Sequence, residues 1–332
     1  MGIYAIFTIA TALLVAVVLI PVLRLIFTPT PVVAEIPERP GKGRALRRAL
    51  PQDGSPTSLE TDSLHAGAMA GGLGVLLAVA ALVPVGGDGF LLNIVEPRLA
   101  IAMCLALGLL LVGMTRTYQR LNGRQRFWLQ LAFATTAAIA GLIPSGIRPE
   151  GFAYVIGALL LVASMNALRA LDSADGLASL IGAITAAVMA LVASSSGAQA
   201  WGDLNLGLCG ALLALLAYNV TNGRFRAELG TGGTLAVGFL LGASMLRLGE
   251  QAVPTDRVWL ALPMALPLAN LGFVLLVRHI RSRPLDIECP SARDHLHHVL
   301  MRAGLSVPQV VILFGTTTGL TALISLQFLG LL

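Results

Sequence analysis

The sequence predicts an all-α, polytopic membrane protein of about ten transmembrane helices with both termini outside. Three observations carry that prediction. Hydrophobic residues make up 56% of the 332-residue chain and charged residues 12%, against roughly a quarter charged in a soluble domain. The mean hydropathy is +0.83. Ten apolar runs approach the length of about 20 residues that crosses a bilayer as helix, and the basic residues crowd into alternate connections between them.

Taken in order, the first run, 2–25, lacks the charged start and small-residue cleavage site of a signal peptide and reads as a retained span. It is followed by the longest hydrophilic stretch, 27–65, where Pro31, Pro37, Pro40, Pro51 and Pro56 with mixed charge predict a partly flexible loop. The second run, 66–85, contains Met69-Ala-Gly-Gly-Leu-Gly74, small residues that suit close helix approach as readily as function. Runs at 99–114, 127–143, 152–168, 176–195, 204–218 and 233–245 come next. Several are short, which neighbouring helices can shield. The ninth run is 258–277 and the tenth 307–331, with a loop at 278–306 between them. In that loop, Val299-Leu-Met-Arg-Ala-Gly304 reads as a short amphipathic helix ended by glycine. The spans carry almost no internal charge, which argues against an ion-coupled transporter. No internal repeat is visible, so residues 1–332 read as a single membrane domain.

Ten spans place both termini on one side. Arg24 and the odd-numbered connections hold 18 of the 22 Lys and Arg residues, and the even ones hold only Arg98, Arg148, Arg247 and Arg257. The positive-inside rule makes the odd connections cytoplasmic. The expected location is therefore the bacterial inner (cytoplasmic) membrane, with the functional face cytoplasmic. All five histidines, His65, His279, His295, His297 and His298, fall on that face. The pI near 9.6 does not argue for nucleic acid, because topology alone requires this spread of positive charge. Cys104, Cys209 and Cys289 are isolated from one another, so neither a disulfide nor a zinc site is indicated.

Two clusters point to chemistry. Asn166, Arg169, Asp172 and Asp175 recur every three positions at the cytoplasmic end of a span. If the helix continues through them, Asp172 and Asp175 are neighbours and form a carboxylate pair suited to magnesium or to a basic group of a substrate. A helix end followed by a solvated turn is the alternative. The second cluster is Asp294-His-Leu-His-His298, three of the chain's five histidines within four positions. Here the alternative to a binding site is a solvated surface cluster.

Ordered blocks over most of the chain resemble the polyprenyl-phosphate N-acetylhexosamine-1-phosphate transferases. Residues 166–178 resemble that family's Asn-x-x-x-x-x-Asp-Gly-x-Asp-Gly-Leu-Ala block, with Ser173 where glycine is usual. Residues 113–130 are similar to its Gly-x-x-Asp-Asp block and the basic start of the next span. Residues 219–235 are similar to its Asn-x-x-x-Ala-x-x-Phe-x-Gly-Asp-x-Gly-Ser-Leu block, and 294–298 with 304–306 to its His-x-His-His loop. The resemblance implies transfer of a sugar-1-phosphate from a UDP-sugar to undecaprenyl phosphate at the cytoplasmic face, with Mg2+ as cofactor. It also implies Asp172 and Asp175 as catalytic residues. Asn166, Asn219, Arg116, Arg293, His295, His297 and His298 are implied as substrate-binding residues around one pocket.

Departures fall where that chemistry needs carboxylates. Thr115-Arg116 replaces the adjacent aspartates, Gly230-Thr231 replaces Gly-Asp, and Asn270 stands where an aspartate is common after the proline of the ninth span. The usual Arg-Lys-x-His is not recognisable in 39–48. The fixed charge of Arg116 would repel magnesium. Two readings follow. One is a degenerate, catalytically impaired relative that serves as a binding or assembly partner in cell-envelope glycan synthesis; the other is an active transferase in which Arg116 partly replaces the metal.

Overall fold

The computed structural model describes residues 9, 10, 12, 14–20, 96–115, 118, 120–142, 150–172, 176–221, 229–281 and 294–332. Every regular element among them is helical. The second predicted span, the loop 27–65, and the site candidates Arg116, Asp175 and Arg293 lie outside the described residues.

The described positions within 9–20 are helical. After them come α1 (Pro97–Met114), α2 (Gly123–Ile139), α3 (Glu150–Arg169), α4 (Leu177–Ser195), α5 (Gln199–Thr221) and α6 (Gly230–Gln251). The remaining helices are α7 (Arg257–Leu260), a 3-10 turn (Leu262–Met264), α8 (Ala265–Ile280), α9 (Leu296–Arg302) and α10 (Val307–Phe328). Seven helices among the described residues are long and apolar enough to cross a membrane, and the chain is a multi-pass membrane protein. The fourth predicted span corresponds to α2, which starts earlier than expected because Asn122 and Gln125 form a reciprocal capping box. The ninth is broken rather than continuous. Pro263 and Pro267 remove backbone donors near its start, so the segment folds as α7, a 3-10 turn and α8 in succession.

Helix α6 is the centre of the bundle, and 18 of its 22 residues are buried. It can be so enclosed because its surface is small. A Cβ added to Gly113 of α1 would stand 2.5 Å from the Cα of Gly232 in α6, and one added to Gly238 would stand 2.7 Å from the carbonyl oxygen of Ser164 in α3. In lipid, where apolar surface gains little by leaving its solvent, such close backbone approach supplies the packing.

The helices alternate in direction, so their ends gather into two groups. At one end, Glu96 accepts hydrogen bonds from the indole of Trp201 (2.8 Å) and from Nε of Arg247 (2.9 Å). Arg98 and Arg247 both reach Glu250, at 2.5 and 3.2 Å. This neutral network ties α1, α5 and α6. At the same end Trp259 stacks on Phe328 at 4.0 Å. The other end carries the histidines.

Candidate functional site

At the histidine end, α3 stops at Arg169, and residues 170–172 form a turn. Helix α4 starts only at Leu177, behind Gly176 with φ +80°. The helical spacing that would pair Asp172 with Asp175 therefore ends before it reaches them. Asp172 instead accepts the backbone N–H of Leu229 at 3.3 Å, and its other oxygen lies 3.8 Å from Arg169. This carboxylate bridges the end of α3 to the start of α6.

Asn166 is buried and belongs to a chain of polar groups running between α3 and α2. Its amide donates to the side-chain oxygen of Gln130 and to the carbonyl of Val162. Gln130 in turn donates to the Tyr118 hydroxyl at 2.9 Å. Arg126 donates to the Tyr118 carbonyl at 3.2 Å, with its guanidinium 5.5 Å from the Tyr118 ring centre. Asn219 lies in the last turn of α5.

The histidines are packed rather than solvated. His297 is fully buried and His295 nearly so, and the three ring centres lie 4.3 to 6.1 Å apart. They sit on α9, which is longer at its start than the sequence suggests and closes at Gly304, whose φ is +105°. What holds α9 in place is Asn270: its side-chain oxygen accepts the N–H of Leu296 at 2.9 Å. Asp294, also buried, takes Arg281 at 2.9 Å and stands 3.7 Å from Nε of Arg278.

Burial pushes the His295 imidazole down to about 4. The charges of His298, Arg278 and Arg169 push the same way, and Asp294 opposes them. His297 falls to about 3 through burial and then its two histidine neighbours. Burial, with help from Arg302, also lowers His298. At neutral pH the rings are uncharged, a form in which an imidazole can donate one hydrogen bond and accept another. Arg169 acts on both His295 and Asp172, so the two clusters read from sequence meet around it.

Residues 99–249 match the family described as glycosyl transferase family 4. A protein of Streptomyces coelicolor named as a glycosyltransferase is 37% identical over 58% of this chain and 45% of its own length. A Bacillus subtilis protein named as an undecaprenyl-phosphate N-acetylglucosaminyl 1-phosphate transferase is 27% identical over 71% of this chain and 66% of its own. A Mycobacterium leprae protein named as decaprenyl-phosphate N-acetylglucosaminephosphotransferase is 26% identical over 79% and 72%. Over these stretches the chain is similar to this transferase family. The matched part spans about half to two thirds of the first two relatives.

Set beside the polyprenyl-phosphate sugar-1-phosphate transferases it resembles, the chain differs in what occupies the expected carboxylate positions. The Thr115 hydroxyl donates to the Val112 carbonyl at 2.7 Å and accepts the Tyr118 N–H at 3.1 Å, so it is spent on capping α1. Thr231 lies in the first turn of α6, and Asn270 anchors α9. Each of the two carboxylates described at the histidine end, Asp172 and Asp294, faces arginine. Among the described residues no three His, Cys, Asp or Glu side chains are grouped as a metal ion's ligands would be. A magnesium ion takes one or two carboxylates in near-octahedral geometry; of the expected pair, Asp172 is turned to Leu229 and Arg169, and Asp175 lies outside the described residues.

Sequence reasoning counted Arg278 only among the basic residues of a connection, Asp294 only as the first residue of the histidine cluster, and Asn270 only as a departure. Gln130 and Tyr118 passed unremarked. No local signal in the sequence marked Arg278 or Asn270 as belonging to the site.

Proposed function

We propose that this chain is a catalytically impaired relative of the sugar-1-phosphate transferases that binds a phosphorylated ligand at the cytoplasmic end of the membrane bundle. It would act there as a binding or assembly partner in bacterial cell-envelope glycan synthesis. The observation that supports this reading is the fate of the expected carboxylate positions: Thr115 and Asn270 are both committed to internal hydrogen bonds. Arginines and neutral imidazoles remain, and these recognise phosphate without a metal. The cytoplasmic placement rests on Arg24 and alternate connections together holding 18 of the 22 basic residues.

The test is UMP release from several UDP-N-acetylhexosamines in the presence of undecaprenyl phosphate and magnesium, with and without chelator. The wild type is expected to give none. Thr115→Asp, Arg116→Asp and Thr231→Asp together are the minimum change expected to restore magnesium binding. Turnover by the wild type that chelator abolishes would establish the active-transferase reading instead.

A further inference from the structure

Arg278 is the largest buried cation of the histidine end: its side chain is 1% exposed. Both its terminal nitrogens, Nη1 and Nη2, are buried without a hydrogen-bond partner. Asp294 does not satisfy them, because it lies 3.7 Å from Nε and gives its other oxygen to Arg281. The side-chain nitrogen of Asn270, a fully buried residue, is equally unpartnered, as is Nδ1 of His295. Buried donors left unmet are costly, above all on a guanidinium.

These groups share one corner. Asn270, Val274 and Arg278 form the buried stripe of α8, and helical side chains lean toward the N-terminus. Arg278 and Asn270 stand about 12 Å apart along the axis and are brought together through residues 294–296, with Asp294 lying 3.7 Å from Nε of Arg278 and the N–H of Leu296 donating to Asn270. His295 immediately precedes Leu296, whose N–H is bonded to Asn270, and it lies within the field of Arg278. Arg278 and Arg169 together outweigh Asp294 at that ring.

We infer that Arg278, Asn270 and His295 form a subsite that grips a phosphoryl oxyanion by hydrogen bonding and charge, without a metal. The guanidinium fork matches two phosphoryl oxygens. Asn270 is the feature particular to this chain. Where the resemblance has a carboxylate, which would repel an anion, it supplies the same anchoring oxygen to α9 and turns a donor toward the ligand. The inference rests on the phosphorylated-ligand reading above and names the residues of that chain-specific grip.

The experiment is calorimetric titration of the full chain in detergent micelles with excess EDTA. The probes are UDP, inorganic pyrophosphate and undecaprenyl phosphate, with undecaprenol as the uncharged control. Binding of a phosphorylated probe is expected without metal, and Arg278→Met should weaken it at least about tenfold. Asn270→Asp is the sharper variant because it keeps the oxygen that anchors Leu296. It should also weaken binding about tenfold or more, while the amides of α9 stay protected from hydrogen exchange. UDP and pyrophosphate binding without undecaprenyl phosphate would assign the subsite to a soluble diphosphate, and the converse to the lipid headgroup. Wild-type binding that Asn270→Asp leaves unchanged, or that needs magnesium, would overturn this subsite while leaving the broader reading standing. No binding of any phosphorylated probe, with or without magnesium, would overturn both.

Discussion

Acidification should loosen the histidine helix, and the size of the effect follows from its burial. His295 and His297 titrate near 4 and 3 in the folded protein and near 6.5 once α9 opens into water. The folded state holds them neutral. Below pH 6.5 the open state takes up protons that the folded state does not, so stability is complete above that pH. It is lost progressively as pH falls toward the folded values. At pH 5 the loss is one and a half units at about 1.4 kcal/mol per unit, or about 2 kcal/mol for each histidine and about 4 kcal/mol for the pair. Opening a seven-residue helix suffices to expose both rings, so the change should appear as local rather than global unfolding. Hydrogen exchange of residues 296–302 in detergent, corrected for intrinsic rates, should show protection falling by about a thousandfold between pH 7.5 and 5. In the His295→Gln, His297→Gln double variant that pH dependence should largely vanish, whatever its absolute stability. Equal protection at the two pH values in the wild type, or an undiminished drop in the double variant, would refute the reasoning.

Two further outcomes are expected. Gly113→Ala should lower the midpoint of thermal unfolding, by about 1–3 kcal/mol in stability terms, because the new methyl must push α1 off α6. Gly272→Ala, whose Cβ meets nothing within 4 Å, should be neutral or slightly stabilising, and an equal loss from both would show that the α1–α6 approach is not the cause. Topology reporters inserted after Arg48 or Arg283 should be cytoplasmic and one after Gly87 outside, and reversal at two or more sites would overturn the orientation on which the proposed function depends.

The helical, membrane-spanning character of this protein was legible residue by residue, because lipid forces each apolar run to satisfy its own backbone within one helix. The predicted runs at 99–114 and 176–195 nearly coincide with α1 and α4. Local chemistry set other boundaries: the capping box at Asn122 lengthened α2, and two prolines broke the ninth run. The resemblance to the transferases, too, could be read from the order of short motifs, since it depends on residue identity rather than on contacts. What the sequence could not show was how each polar side chain is spent. The three-residue spacing of Asn166, Arg169, Asp172 and Asp175 suggested one helical face, but α3 ends at Arg169, Asn166 turns toward Gln130, and Asp172 bridges to Leu229. The histidines looked as compatible with solvent as with a site until the packing of α9 against α8 buried them. Arg278 and Asn270 carried no local signal of their role, because a donor is left unmet only when elements far apart in the chain close over it. Composition and periodicity determine which segments enter the membrane; only tertiary packing decides which buried donors remain for a ligand.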